Sequence, residues 1–507
     1  MVREENFRRF ISHGDAARPR AEEVQLNEIA KQVAAQYRND TLSPSMVSGL
    51  LRIYEFLLIA ASGFLVFYHY VGVPGPLTAY YFGAILCCAS LSVALLEFAR
   101  CYSVHSLFHP FRRIGLVAGL LALSFALLAV IGFFLKISDV FSRVWLAGWF
   151  AMSLISVGTS RIILSRLFQR WARNGRIERR AVIVGGGKNA ETLIRALEEQ
   201  PYNDIRICGM FDDRDDRRSP PLVAGYPKLG TVSELIEFAR IAHIDLLIVA
   251  IPITAEERVL TMLKKLWVLP VDIRLSAHST ELTFRPRAYS YIGAVPMLDV
   301  MDKPINDWDS VAKRIFDIVF SLIGIILFSP IMVATAIAIK LDSKGPILFK
   351  QKRHGFNNEE IDVYKFRSMY TEMSDPTAKK AVTRNDPRVT RVGRIIRKTS
   401  IDELPQFFNA LLGSLSLVGP RPHAVSAQTH NLLYNEVIDG YFARHRVKPG
   451  VTGWAQINGF RGEMDTNEKI RLRTEYDLFY IENWSLWFDL KILVLTPVRL
   501  LNTENAY

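Results

Sequence analysis

The sequence predicts a membrane α/β protein: a four-helix transmembrane unit, a Rossmann-like parallel α/β domain, then a re-entrant membrane helix with a cytoplasmic, mainly α catalytic domain. Three observations carry that reading. Four apolar runs of near-membrane length stand at roughly 47–70, 77–98, 114–135 and 144–160. Residues 181–275 alternate strand-like and helix-like patterns around a glycine turn. A further apolar run at 313–346 has no charge between Asp317 and Lys340 and carries Ser329-Pro330 at its centre.

The chain has 507 residues, half of them apolar, with a formal net charge of +12. That balance favours acidic partners: nucleic acid, anionic lipid or phosphorylated substrates. The four cysteines (Cys87, Cys88, Cys101, Cys208) show no metal spacing, which suits a reducing compartment without a disulfide framework. Residues 1–46 are polar and are expected to be loosely ordered and to carry no cleavable signal peptide.

Residues 47–165 hold the four expected crossings. The connection 99–113 carries Arg100, Arg112 and Arg113, and 161–180 carries seven arginines from Arg161 to Arg180. The segments 71–76 and 136–143 carry only Lys136 and Arg143. By the positive-inside rule both ends of this unit face the cytoplasm.

Residues 178–280 form the Rossmann-like, CoA-binding-like domain. Gly185, Gly187 and Ala190 match the G-x-G-x-x-A turn of a dinucleotide site, with Asp212 and Asp213 ending the next strand. A glycine turn alone is a weak signal, and no Tyr-x-x-x-Lys pair follows it. A structural or regulatory module is therefore favoured over a nucleotide site. A membrane-tethered nucleotide-sugar oxidoreductase or dehydratase is the alternative. Residues 281–311 read as a linker.

The run at 312–341 could be a fifth crossing, but Pro330 interrupts its middle. Cations also flank both of its ends: Lys313 and Arg314 before, Lys340 and Lys344 after. A helix that enters the bilayer, turns at Ser329-Pro330 and leaves by the same face satisfies both facts, with the Ser329 hydroxyl helping to satisfy freed backbone groups. Residues 342–507 then stay in the cytoplasm.

That last region is the informative one. GPILFKQKRHGFNNEEIDVYKFRSM reads as a hairpin ending in Lys365 and Arg367. Arginines recur from Arg384 to Arg397 and lead into RKTSIDELPQ at 397–406, where Asp402 and Glu403 sit side by side. Ser400 and Glu403 fit a capping box, and Asp402 as cap before Pro405 is a second possibility. The same acids could instead be a reaction centre. LSLVGPRP supplies Arg421, and HRVKPGVTGWAQINGFRGE supplies Arg446, Lys448 and Arg461. The closing ENWSLWFDLKILVLTPVRLL is amphipathic and suits the headgroup layer.

Arginines from several loops around one acid pair suggest a diphosphate site, since guanidinium forks match phosphate oxygens. Nothing here resembles a recognition helix or an aromatic RNA-binding consensus, so nucleic acid is not the expected partner; some of the cations face anionic lipid. A carboxylate can attack phosphorus and hold a phosphoryl group, given a divalent cation and arginines to offset charge.

SIDELPQ, KFRSM, LVGPRP, KPGVTGWAQINGFRGE and the interrupted helix before them resemble the bacterial sugar transferases, the monotopic phosphoglycosyl transferases, over about residues 312–507. The resemblance implies transfer of a sugar 1-phosphate from a UDP-sugar to undecaprenyl phosphate, usually from UDP-glucose, at the bacterial inner membrane. It implies Asp402 as nucleophile, Glu403 as its dyad partner, and Mg²⁺ held at Asp402 and Glu403. Arg397 and Arg421 match residues that grip phosphate or uridine diphosphate, with Lys365, Arg367 and Arg461 as further substrate contacts. Ser329 and Pro330 match the family's helix break, and the long members imply a homodimer.

Overall fold

A computed structural model describes residues 26–37, 44–72, 75, 78–102, 110–173, 178–199, 205–214, 220–251, 255–276, 290–292, 295–373, 386–423, 428–429, 432–433, 441–460 and 466–500. The chain divides into two compact units, 39–180 with 200–206, and the remainder.

The first unit is a bundle of four helices: α2 (Pro44–Val66), α3 (Thr78–Phe98), α4 (Pro110–Phe134) and α5 (Arg143–Arg173), following α1 (Glu28–Gln36) in the chain. Each of α2–α5 contains a stretch long and apolar enough to cross a membrane. Polar groups inside the bundle meet one another, as hydrocarbon demands. The Ser62 and Ser153 hydroxyls lie 2.8 Å apart and those of Ser92 and Ser124 2.7 Å apart. Arg161, expected among the loop cations, is buried on α5 and grips Glu55 through two bonds of 2.6 and 2.9 Å, while Tyr102 donates to the same carboxylate.

In the second unit α1 packs on the Rossmann-like core, so residues 28–36 depart from the loosely ordered segment expected. Asn27 caps the helix by accepting from the Ala30 amide at 2.7 Å and donates to the Leu229 carbonyl. Ala30 and Ala34 are fully buried there.

The core is an eight-stranded sheet in the order β3-β4-β2-β1-β5-β6-β8-β7. Its strands are β1 (Arg179–Val184), β2 (Ile205–Phe211), β3 (Leu222–Val223), β4 (Tyr226–Gly230), β5 (Leu246–Val249), β6 (Asp272–Ser276), β7 (Ser290–Ile292) and β8 (Val295–Met301). The helices α6 (Lys188–Glu198), α7 (Val232–Ile241) and α8 (Glu256–Leu266) alternate with them. The pairings β1–β5, β5–β6 and β2–β4 are parallel. Strands β7 and β8 come from the stretch expected to be a linker and extend the β6 edge antiparallel.

The helix α9 runs unbroken from Asp307 to Asp342 through Pro330, so no loop opens at the expected break. Proline has no N–H for the Ile326 carbonyl, and the Ser329 hydroxyl donates to that carbonyl at 2.8 Å instead. One flank of α9 is exposed and apolar, including Ile315, Val319, Ile323, Ile326 and Leu327.

After α9 come the hairpin β9 (Leu348–His354) and β10 (Glu360–Phe366), then α10 (Arg391–Lys398), α11 (Gln406–Leu412), β11 (Ser416–Val418), β12 (Gly450–Thr452), α12 (Asn467–Glu482) and α13 (Leu486–Leu500). Buried polar pairs tie α9 to this domain. Lys313 meets Asp489 of α13 at 2.7 Å, and Tyr480 and Trp484 donate to the same carboxylate. Asp317 accepts from the Leu417 amide and the Ser416 hydroxyl, each at 3.0 Å. Arg314 donates to the last carbonyls of α11 at Ala410 and Leu411.

Candidate active site

Neither expected cap forms at the acid pair. Ser400 has φ 59°, left-handed, and makes no side-chain cap. It follows the end of α10 and turns the chain into a single 3₁₀ turn, Ile401–Glu403. Pro405 then precedes α11, where a missing N–H costs nothing. A serine in this conformation is unusual, and it fixes the direction in which the next two carboxylates leave the backbone. Ile401 and Leu404, which flank the acids, pack into a cluster with Phe328, Met332 and Ala336 of α9. The dyad therefore sits beside the middle of the apolar helix, next to Pro330.

The two acids have different surroundings. Glu403 is clamped: Lys365 Nζ lies 3.0 Å from Oε1, and Arg421 donates to Oε1 at 2.6 Å and to Oε2 at 3.3 Å. Asp402 takes no hydrogen bond or ion pair among the described residues. It is partly exposed at the surface of a dense site. Burial pushes its pKa up to about 6; Lys365, Arg397 and Arg421 pull down, and Glu403 pushes further up. Burial likewise pulls the Lys365 ammonium down, against the carboxylates of Glu403 and Asp402.

Each cation is aimed by a different element. Lys365 is the last but one residue of β10, and β10 is stitched to α11 by Asn409, which accepts from the Tyr364 amide at 2.8 Å and donates to the Asp362 carbonyl at 2.7 Å. Arg397 lies in the last turn of α10, whose first turn rests on the Thr390 cap and on Asp342 accepting from the Val392 amide. The Arg397 side chain forms no hydrogen bond or ion pair among the described residues.

Arg421 stands on the loop after β11, which is zipped to β12 by glycines. A Cβ on Gly450 would lie 2.1 Å from the Gly419 amide nitrogen, and one on Gly453 would lie 2.2 Å from the Gly419 carbonyl oxygen. The amides of Gly419 and Gly450 donate to Thr452 and Pro420 across this contact. Behind the loop, the buried Arg444 donates to the Arg421 carbonyl at 3.0 Å and meets His423 at 2.5 Å. Burial and Arg444 hold His423 well below the usual histidine range, so it is a neutral acceptor.

Arg367 is not brought to the dyad. It is buried and donates to the Ser343 and Lys344 carbonyls and to Thr371, closing the end of α9. Arg446 is also turned away, donating to the Asp302 carbonyl. Arg461 lies outside the described residues. Sequence reasoning misses Lys313, Asp317, Asn409 and Arg444 as organisers of the site; it takes Lys313 and Arg314 only as flanking charge.

Among the described residues no cluster of three or more His, Cys, Asp or Glu side chains could hold a metal ion. Both Glu403 oxygens are committed to cations, so Glu403 does not fit the ligand role expected of it. Asp402 does fit: an unpartnered carboxylate can share Mg²⁺ with substrate phosphates and water.

The bacterial sugar transferase family matches residues 308–503, and the CoA-binding domain family matches residues 97–277. The chain is 33% identical over 466 residues to a UDP-glucose:undecaprenyl-phosphate glucose-1-phosphate transferase of Xanthomonas campestris pv. campestris, covering 90% of this chain and 94% of that one. It is 38% identical over 368 residues to a protein of the same name from Escherichia coli (strain K12), covering 72% of this chain and 76% of the other. The exopolysaccharide production protein PSS of Rhizobium leguminosarum bv. phaseoli is 47% identical over 199 residues, 39% of this chain and 100% of that protein.

The glycine turn of the Rossmann-like domain is held by its own side chains. Asp212 accepts from the Gly186 amide at 2.7 Å and from Arg214 Nε at 2.8 Å, while Arg214 donates back to the Gly186 carbonyl. The Gly186 amide is thus taken by the chain's own carboxylate.

Proposed function

The chain belongs to the bacterial sugar transferase family, and from that premise we propose that it transfers a hexose 1-phosphate, most simply glucose 1-phosphate, from a UDP-sugar to undecaprenyl phosphate. The reaction releases UMP and opens the assembly of an exopolysaccharide or capsule repeat unit. The observation that carries this reading is the asymmetry of the two acids: Glu403 held by Arg421 and Lys365, and Asp402 without a hydrogen-bond partner among the described residues, beside an apolar helix.

In the first half-reaction an Asp402 oxygen attacks the phosphorus that bears the sugar. The new O–P bond forms as the bond from that phosphorus to the bridging oxygen breaks, and UMP leaves with the electron pair. In the second, an oxygen of undecaprenyl phosphate attacks the same phosphorus and frees the Asp402 carboxylate. Arg421 and Arg397 offset charge on the diphosphate. Glu403 fixes Arg421 and Lys365 in place. When bound at Asp402, Mg²⁺ supplies further charge neutralisation and orients the phosphates.

The exposed flank of α9 and the amphipathic α13 suit an inner-leaflet seat for this site, with α9 approaching the membrane from the cytoplasmic face and α2–α5 crossing. A homodimer is part of the same proposal. Quenching the protein with UDP-glucose alone tests the core of it: the peptide carrying Asp402 should gain a hexose phosphate by mass spectrometry, with one UMP released per site. UMP release without that adduct would overturn the covalent route. The oxidoreductase alternative is disfavoured by the lack of a Tyr-x-x-x-Lys pair after the glycine turn.

A further inference from the structure

The loop carrying Arg421 is reached by a polar chain that starts on the Rossmann-like domain. The tip of the β9–β10 hairpin contains two consecutive left-handed residues, Asn357 with φ 51° and Asn358 with φ 62°. Asparagine tolerates this conformation better than most residues, but two in a row constrain the tip to one shape. That shape points the two side chains in useful directions. Asn357 Nδ2 donates to the Ala239 carbonyl at 3.1 Å, near the end of α7. Asn358 Oδ1 meets His445 Nδ1, just before the segment that becomes β12.

The backbone continues the connection. The His354 amide donates to the His423 carbonyl at 3.1 Å, and Arg353 donates to the Pro422 carbonyl at 2.9 Å. Both acceptors directly follow Arg421. The tip therefore touches the Rossmann-like domain on one side. On the other, the hairpin bonds the chain just after Gly419, at Pro422 and His423, and His445 just before Gly450, so it flanks both segments of the glycine zipper that sets Arg421 against Glu403.

We propose that Asn357 and Asn358 are positioning residues: they transmit the placement of the Rossmann-like domain to Arg421 and so set the transfer rate. The catalytic consequence rests on the function proposed above; the mechanical coupling does not. A domain whose Gly186 amide is taken by its own Asp212 has a mechanical role under this inference. Any binding partner that shifts α7 would be read out at the dyad.

The test uses the full chain with two variants, Asn357→Gly and Asn358→Gly. Glycine keeps the left-handed turn and deletes only the side-chain bond. Hydrogen exchange at the Gly419 and Gly450 amides reports the zipper, and the Phe408 amide at the start of α11 serves as control. Both variants should raise exchange at Gly419 and Gly450 by about 5-fold, the size expected for one lost hydrogen bond, and leave Phe408 unchanged. kcat for UMP release should fall by a similar factor, with KM for the UDP-sugar within about 2-fold, because Arg421 acts on the transferring charge.

Wild-type exchange at Gly419 and Gly450 in both variants would overturn the coupling. So would a uniform rise across all three amides, which is general loosening. Raised zipper exchange in a protein with no transferase activity would leave the coupling standing and sink the function instead.

Discussion

Replacing Asp402 by Asn should abolish transfer and at the same time stabilise the protein. An ordinary aspartate titrates near 3.8, and Asp402 is pushed up to about 6. That difference corresponds to about 3 kcal/mol of penalty on the ionised form at neutral pH. Partial exposure of the carboxyl trims the figure to about 1–2 kcal/mol. The sign follows from proton binding. The folded state holds the Asp402 proton more tightly than the unfolded state, so the fold is favoured below about pH 4 and loses that increment as pH rises through about 6. Asparagine carries no charge at either pH and removes the penalty. The assay is thermal unfolding in detergent by tryptophan fluorescence, with UMP release measured in parallel. At about pH 7.5 the Asp402→Asn protein should melt a few degrees higher than wild type, and at about pH 4.5 the gap should shrink. A variant that melts lower at the higher pH would refute the penalty on the Asp402 carboxylate. Substantial turnover would refute its role as nucleophile.

Because Asp402 must be ionised to attack, wild-type UMP release should fall about tenfold per unit below about pH 6. Lys365→Met removes the cation that most favours the charged form, so the acid limb measured in initial rates should move up by about 1 pH unit or more. Gly450→Ala places a methyl group against the Gly419 backbone; it should cost at least about 2 kcal/mol by unfolding and most of the activity. Lys313→Met or Asp489→Asn alone leaves an uncompensated buried charge or an orphaned partner and should cost about 3–5 kcal/mol. The double replacement should recover much of that, as a double-mutant cycle would read.

The features legible in the sequence are those written locally. Membrane-length apolar runs locate the helices of the bundle, because contiguous hydrophobicity needs no tertiary information. The glycine turn after a buried strand locates β1 and α6. The acid pair stands out, although its local pattern points to a cap. The capping pattern fails because Ser400 follows directly on α10 and is forced left-handed, and because Glu403 finds two cations from distant elements. Lys365 and Arg367, two residues apart, share a face only while a strand continues. Strand β10 ends at Phe366, and Arg367 swings to the carbonyls of Ser343 and Lys344. Asn409, Arg444 and the Asn357–Asn358 tip carry no local signal, since each derives its role from a partner far along the chain. The segment 290–301 resembles a linker because the edge strand β7 has only three residues and Pro296 and Asp299 break up the apolar pattern of β8.

The seat of α9 follows from which of its turns touch protein. A straight helix of this length would extend about 54 Å, well beyond a hydrocarbon core of about 30 Å. Yet its contacts with the domain that follows it run from end to end. Lys313 and Asp317 are held near its start, and Gly324 lies against the Phe407 ring. Met332 and Ile339 share a cluster with Phe366 and Ile396, and Asp342 caps α10. If α9 crossed to the far side, the polar Lys365–Glu403–Arg421 site packed beside its middle would be carried into lipid, where unshielded charge is costly. A helix with one flank on that domain and the other, Ile315 to Leu341, facing outward avoids this. On the proposed function, an approach to the membrane from one side only would put Asp402 within reach of a soluble nucleotide sugar and a lipid phosphate together.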